Sequence, residues 1–401
     1  MHGPAALVRS AKLADFENLG PLHEWQDGQA YLLLDRVSYR GKAGAIFTYN
    51  NPPVHQMGNP ALDAYLAGCA KLTPLYTQLD FLILYGACDP VHAGGDLKES
   101  LTRLEETQAK RAELEAAGAP AAEIDALYNW GDARLDKGFA LYSALREAGR
   151  HLRTVAVCSG GMRFGGSAEV MLMADVLVAD SRGGMCFSES QIGLIPGWGG
   201  VGRAITKAGL DNARHMAATC AVVKAAALAD AGLVDLVVEV PEPFPRKQRT
   251  DDPAADKAAF LAALQANNDA SGARLLPAAL DVAVAERVPR RPPESRTALA
   301  SAADTAAEVA RRADPQTYRE LWGQPLKAAA EALKPLGKPL APQSVETLDA
   351  LLAKVDEASF DEPAFVQAES RADAELYRDP RFKQGILATL NQTVADFREA
   401  E

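Results

Sequence analysis

The stretch Phe164-GGSAEVMLMADVLVA-Asp180 decides how the rest of the chain is read. Two glycines open a run of helical spacing, and the run passes straight into the short strand DVLVAD (Asp175–Asp180). Just upstream, TVAVCSG reads as another buried strand. Just downstream, GMCFSE reads as a third, and it leads into the glycine-rich turn IPGWGG. A strand, a glycine turn, a helix and a strand in this order describe an α/β core. One residue is out of place in each half. Glu169 enters the apolar helix and Glu189 stands between Phe187 and Ile192. An unpaired buried carboxylate is costly, so such a residue is paired, at an edge, or used.

Working outward, YLLLDRVSYR and GAIFTYNNP predict two strands that turn at Gly41. ALDAYLAGCAKL predicts a helix and FLILYG (Phe81–Gly86) a buried strand. From Leu97 to about Arg150 the chain is charged and helical in period, with a break near Gly118 to Pro120, which predicts a helical hairpin. GGVGRAITKAG and AVVKAAALADAG predict helices, and LVDLVVEV a closing strand. After Val240 the composition changes. PEPFPRKQRTDDP is rich in proline and charge, the remainder is alanine-rich and helical, and PRRPPES (Pro289 to Ser295) predicts a further loop. This gives a core over 1–250 with a helical insertion at about 97–150, then a helical region over 251–401.

The 401 residues are 48% hydrophobic and 24% charged, an ordinary globular profile. Net charge is −11 and no basic cluster appears, which argues against nucleic acid as a partner. The five cysteines are scattered without a CxxC pair, and the six histidines show no metal-like spacing, so neither a disulfide framework nor a metal site is expected. No stretch approaches a membrane span and the N-terminus lacks a signal-peptide core. A cytoplasmic protein without membrane contact is expected.

The chemistry candidates are two glycine turns and the two carboxylates. His92-Ala93-Gly94-Gly95-Asp96-Leu97 follows the strand FLILYG after a short loop. Arg163-Phe164-Gly165-Gly166-Ser167 follows TVAVCSG. Glycine lets a ligand approach the backbone, and the first N–H groups of a helix have no partner within it. Two such turns side by side could aim two donors at one oxygen. They could equally be tight turns and nothing more. Neither spells GxGxxG, which argues against a dinucleotide site. Glu169 and Glu189, each beside a glycine turn, read as an acid/base pair. His92 adjoins the first turn and could line a site.

The stretch from about Arg36 to Val240 resembles the crotonase (enoyl-CoA hydratase/isomerase) superfamily. HAGGDLKE, FGGSAEVMLMADVLVAD, FSESQIGLIPGWGG and AGLVDLVVE carry the likeness, in the family's order. The resemblance implies a spiral core of ββα repeats with helical insertions and a helical C-terminal region. It implies that the N–H groups of Ala93 and Gly166 form an oxyanion hole, and that Glu169 and Glu189 are the two catalytic glutamates. His92, Gly94, Gly95, Asp96, Leu97, Gly165, Pro196 and Gly197 would then flank the substrate. Ser167 stands where the family usually has a third glycine, and Ser188 where a proline commonly precedes the second glutamate. FVQAESRADAELYRDPRFKQGILATLNQTVADF resembles the family's C-terminal helices, which makes about 251–351 an insertion before them.

The implied activity is hydration of an enoyl-CoA thioester across its 2,3 double bond, in fatty acid or aromatic degradation. No cofactor beyond the CoA of the substrate is implied. A homotrimer or a dimer of trimers is expected. LHEW and FTYNNP are also similar to stretches of the ring-opening hydrolases of 6-oxocyclohex-1-ene-1-carbonyl-CoA, which makes ring opening an alternative. A non-enzymatic CoA-binding or assembly protein is a third reading, against which the four intact site residues count. Within the insertion, Leu127, Tyr128, Trp130, Phe139 and Tyr142 form an apolar and aromatic cluster. It either packs the hairpin or lets Trp130 and Tyr142 wall the acyl pocket.

Overall fold

Short runs of β-branched and aromatic residues build eleven strands in the computed structural model, which describes residues 3–288 and 290–398. They are β1 (Phe16–Asp27), β2 (Ala30–Tyr39), β3 (Lys42–Asn50), β4 (Phe81–Gly86), β5 (Val91–His92), β6 (Arg153–Cys158), β7 (Met162–Phe164), β8 (Val176–Asp180), β9 (Gly184–Cys186), β10 (Val223–Lys224) and β11 (Leu236–Val238). A seven-stranded sheet runs β1-β2-β3-β4-β6-β8-β11, and a four-stranded sheet runs β10-β9-β7-β5. The first three strands form an antiparallel meander, and from β3 onward the large sheet is parallel. The register sets Ile46 opposite Ile83, Ile83 opposite Val155 and Val155 opposite Val176. Strands apolar on both faces, as in FLILYG, are what a doubly covered parallel sheet requires.

The chain divides into two compact units. The first comprises the residues up to Gly94, Leu141–Met185 and Val223–Thr297, and it holds the large sheet. One face of that sheet is covered by the helix Pro253–Val284, whose Leu275, Leu276, Ala279 and Leu280 pack with Val37, Ile46, Phe81, Ile83, Val155, Val157, Val176 and Val178. Paired apolar residues one helical turn apart make a stripe that a sheet face can bury. The expected boundary at 250 therefore does not separate these units, because the first helix beyond it belongs to the sheet's own core.

The second unit comprises Gly95–Ala140, Cys186–Val222 and the chain from Ala298 on. The hairpin expected in the insertion begins here, with helices Leu97–Ala116 and Asn129–His151. Between them Gly118 takes a left-handed φ of 69° and Pro120 precedes the short helix Ala121–Asp125. The C-terminal helices include Pro342–Leu352, Glu362–Leu376 and Pro380–Asn391. Asp361 and Asp379 cap the last two through their side chains.

Strand β1 and the short helix Pro4–Arg9 were not expected from the sequence. Among the described residues strand β1 pairs only with β2, and its exposure does not alternate cleanly, so it lacks the period-2 apolar signal. The loop expected at Pro289 to Ser295 ends in a 3-10 turn at Pro293–Ser295, and Pro289 itself lies outside the described residues, as does His2. No helix among the described residues is long and apolar enough to cross a membrane.

Candidate active site

In the first unit, strands β5 and β7 pair in parallel, Val91 with Met162 and His92 with Arg163. Each runs directly into one of the two glycine turns. The turns lie against each other: a Cβ on Gly94 would stand 2.9 Å from both Gly166 N and Phe164 O. Gly165 takes a φ of 50°, and Gly166 opens the helix Gly166–Leu172. Glu169 lies in the first turn of that helix and is 2% exposed. Second-turn backbone, first-turn backbone and one carboxylate are thus assembled within one unit.

Ala93 is placed differently from what the family likeness implies. Its N–H donates to the carbonyl of Val54 at 2.6 Å, and Met57 N–H in turn donates to Gly94 O at 2.9 Å. The loop leaving β3 therefore clasps the first turn and occupies the expected donor. Among the described residues, the N–H groups of Gly94, Gly95 and Gly166 have no protein acceptor.

His92 does not line an open site either. It is buried beneath the turn, with its ring stacked on His55 at 4.7 Å. His55 Nδ1 accepts the Asn51 N–H at 3.1 Å, so Nε2 carries the proton and donates to Asp89 Oδ2 at 2.7 Å. Asn268 Nδ2 donates to Asp89 Oδ1 at 2.6 Å. Burial pushes the His92 pKa well below the ordinary value, and the positive Arg163 and neighbouring His55 push it the same way. Tyr142 is buried in the helix Asn129–His151.

In the second unit, Glu189 opens a 3-10 turn and is 8% exposed. Its carbonyl accepts the N–H groups of Ile192 at 2.8 Å and Leu194 at 3.1 Å. Burial pushes the Cys220 thiol up to about 12, against the pull of Arg312, and Glu189 acts in the same direction as burial. Pro196 and Gly197 are buried. The turn around them is held by two acidic residues that the sequence reading missed. Asp373 Oδ1 accepts Ile195 N–H at 2.9 Å, and Glu369 accepts the N–H groups of Val201 at 3.4 Å and Gly202 at 3.1 Å. Glu369 and Asp373 stand one helical turn apart in Glu362–Leu376, and that spacing was the available signal.

Gly95 is pressed by Arg134, whose Nη2 lies 2.6 Å from where its Cβ would be. Asp96 is the N-cap of Leu97–Ala116, accepting from Lys98 N at 2.9 Å and Glu99 N at 3.1 Å, which is a structural role. Leu97 is half-buried. Trp130 donates Nε1–H to Thr107 Oγ1 at 3.0 Å and meets the Tyr377 ring edge-on at 5.3 Å. Its polar atom and one edge of its ring are thus taken up in packing. No group of three His, Cys, Asp or Glu side chains among the described residues is placed to hold a metal ion.

Residues 116–250 match the family model for enoyl-CoA hydratase/isomerase. Over this stretch the chain is similar to the enoyl-CoA hydratase/isomerase family. The stretch contains Gly165, Gly166, Glu169, Glu189, Pro196 and Gly197, whereas the first turn precedes it. The chain is similar to a solved enoyl-CoA hydratase of Rhodobacter sphaeroides 2.4.1, with a TM-score of 0.52, 16% identity, and coverage of 90% of this chain and 89% of that one. At that identity the likeness is one of fold. Over 115 residues the chain is 32% identical to the fatty acid oxidation complex subunit alpha of Colwellia psychrerythraea, covering 29% of this chain and 15% of that protein. Over 204 residues it is 25% identical to a probable mitochondrial enoyl-CoA hydratase of Dictyostelium discoideum, covering 51% and 63%. The chain thus spans less than two thirds of the length of these curated relatives.

The folded state resists protonating His92, whereas the unfolded chain takes the proton near pH 6.5. The stability held by neutral His92 is therefore complete above about pH 6.5 and is lost as the pH falls below it. His92→Phe should flatten the fall in melting temperature between about pH 6.5 and pH 5; an unchanged slope would show that other groups set it. Trp130→Ala should cost about 2 kcal/mol of stability, below the 3–5 kcal/mol of a fully buried tryptophan. It should leave the ratio of kcat/KM between cyclic and linear enoyl-CoA substrates unaltered, and a changed ratio would return Trp130 to the acyl pocket.

Proposed function

We propose that the protein is an acyl-CoA enzyme of enoyl-CoA hydratase type. The observation that carries this reading is the contact between the two glycine turns, with Gly166 N beside Gly94 and Glu169 one helical turn further on. The thioester oxygen is held by Gly166 N–H and by an N–H of the first turn. Because Ala93 N–H is engaged by Val54, we assign that second donor to Gly94 or Gly95. Negative charge gathers on this oxygen as water adds to the 2,3 double bond, and preorganised donors stabilise it there.

Glu169 and Glu189 manage the protons. One carboxylate takes a proton from water while the oxygen bonds to the β carbon. The other, protonated, gives its proton to the α carbon. One acid and one base is the stable arrangement for two carboxyl groups serving one water. The product is a 3-hydroxyacyl-CoA, and no electrons are exchanged with a cofactor. Assembly on threefold symmetry belongs to the same reading, and light scattering at micromolar concentration checks it.

The deciding experiment is a panel of linear and cyclic enoyl-CoA thioesters, followed by loss of enoyl absorbance and by mass spectrometry. A product heavier by one water that keeps its ring supports hydration. A ring-opened dicarboxylate would replace this reading with ring hydrolysis. No turnover of any thioester, with CoA binding intact, would replace it with a binding role.

A further inference from the structure

Behind the two turns lies a cavity of about 20 Å³, lined among others by Tyr65, Tyr85, His92, Arg163 and Ser167. Arg163 is 4% exposed. Its Nη1 donates to Ser167 Oγ at 3.3 Å, and its Nη2 to the carbonyl and the hydroxyl of Ser159, both at 3.1 Å. Its Nε is buried without an acceptor, and so is Nε2 of His92. No carboxylate lies within ion-pair distance of Arg163 among the described residues. A buried guanidinium whose charge is unmatched is costly, and buried charges are ordinarily paired. Arg163 and His92 face each other across the β5–β7 register, so the two orphaned nitrogens stand on neighbouring strands.

We propose that Arg163 and His92 bind one monatomic anion, chloride in the cell, in this cavity. The volume admits roughly one water-sized sphere, which excludes phosphate and carboxylates. A water would satisfy the two nitrogens and leave the charge of Arg163 unanswered. Chloride answers both: it accepts from Arg163 Nε–H and from His92 in its Nε2–H form, in a space that Tyr65 and Ser167 also line. The anion ties β5 to β7 one residue before each strand enters its glycine turn, so it fixes the spacing of the two turns. The cavity and its charge exist independently of the chemistry at the turns, so chloride binds whether or not the chain hydrates enoyl-CoA.

The test uses bromide as the probe. Crystals of the whole chain grown in sodium bromide should give an anomalous peak at the bromine edge within hydrogen-bond reach of Arg163 Nε. In solution, the melting temperature should rise with chloride and saturate when gluconate, too large for the cavity, keeps the ionic strength constant. Arg163→Leu should abolish that rise. Light-atom density in the cavity without anomalous signal would overturn the proposal, as would a melting temperature indifferent to chloride. If Arg163→Leu does not fold, the bromide diffraction of the unaltered chain decides alone.

Discussion

Glu169→Gln and Glu189→Gln are each expected to lower turnover at least about a hundredfold, the range of a lost general acid or base. A hundredfold corresponds to about 2.7 kcal/mol of barrier. Glutamine keeps the volume of either buried side chain and remains able to hydrogen-bond, so the fold should survive. The loss should fall on kcat and not on KM, because proton transfer is made in the transition state. Circular dichroism with steady-state hydration of one enoyl-CoA is the measurement. Near-normal hydration by Glu189→Gln would sink the two-glutamate mechanism and leave an isomerase or hydrolase with one working carboxylate.

Gly94→Ala is expected to reduce turnover by about a hundredfold to a thousandfold, as when one oxyanion donor is lost. The added Cβ would meet Gly166 N and Phe164 O at 2.9 Å and Gly165 Cα at 3.2 Å. All three are backbone atoms, so no side chain can swing aside. The shift must move the second glycine turn, and with it the N–H assigned to the thioester oxygen. Overpacking of this kind costs about 1–3 kcal/mol of stability, which a melting curve would register beside the kinetic loss. A Gly94→Ala enzyme with ordinary kcat would show that the contact between the turns is structural only.

Much of this was legible in the residues because the signals were local. FLILYG and the VLVA of DVLVAD are short continuous apolar runs, and both lie in strands. The two glycine turns and Glu169 stood out because they break an apolar run. What failed depended on distant partners. Ala93 N–H looked free because nothing in HAGGDLKE reveals that Val54, far back in the chain, has taken it. His92 looked like a rim residue, yet its ring packs on His55 from the loop after β3. Asp373 and Glu369 read as ordinary charges of an amphipathic helix, and only tertiary packing turns them into caps for the segment around Pro196. The helix Pro253–Val284 sat beyond a compositional break, although its leucines complete the sheet.

That helix also constrains how the chain can be made. Apart from β11, the strands it covers begin near residue 30 and are complete by residue 180, whereas Leu275, Leu276, Ala279 and Leu280 come about a hundred residues later. On the ribosome the first strands can hydrogen-bond to one another while Ile46, Ile83, Val155 and Val178 still face water. Synthesis at about 5–20 residues per second leaves that face bare for several seconds or more. Over this interval the nascent sheet is a sticky surface, and a chaperone that shields apolar strands would find its substrate here. The fold closes only when a late segment returns to an early one, the kind of long-range contact that slows folding.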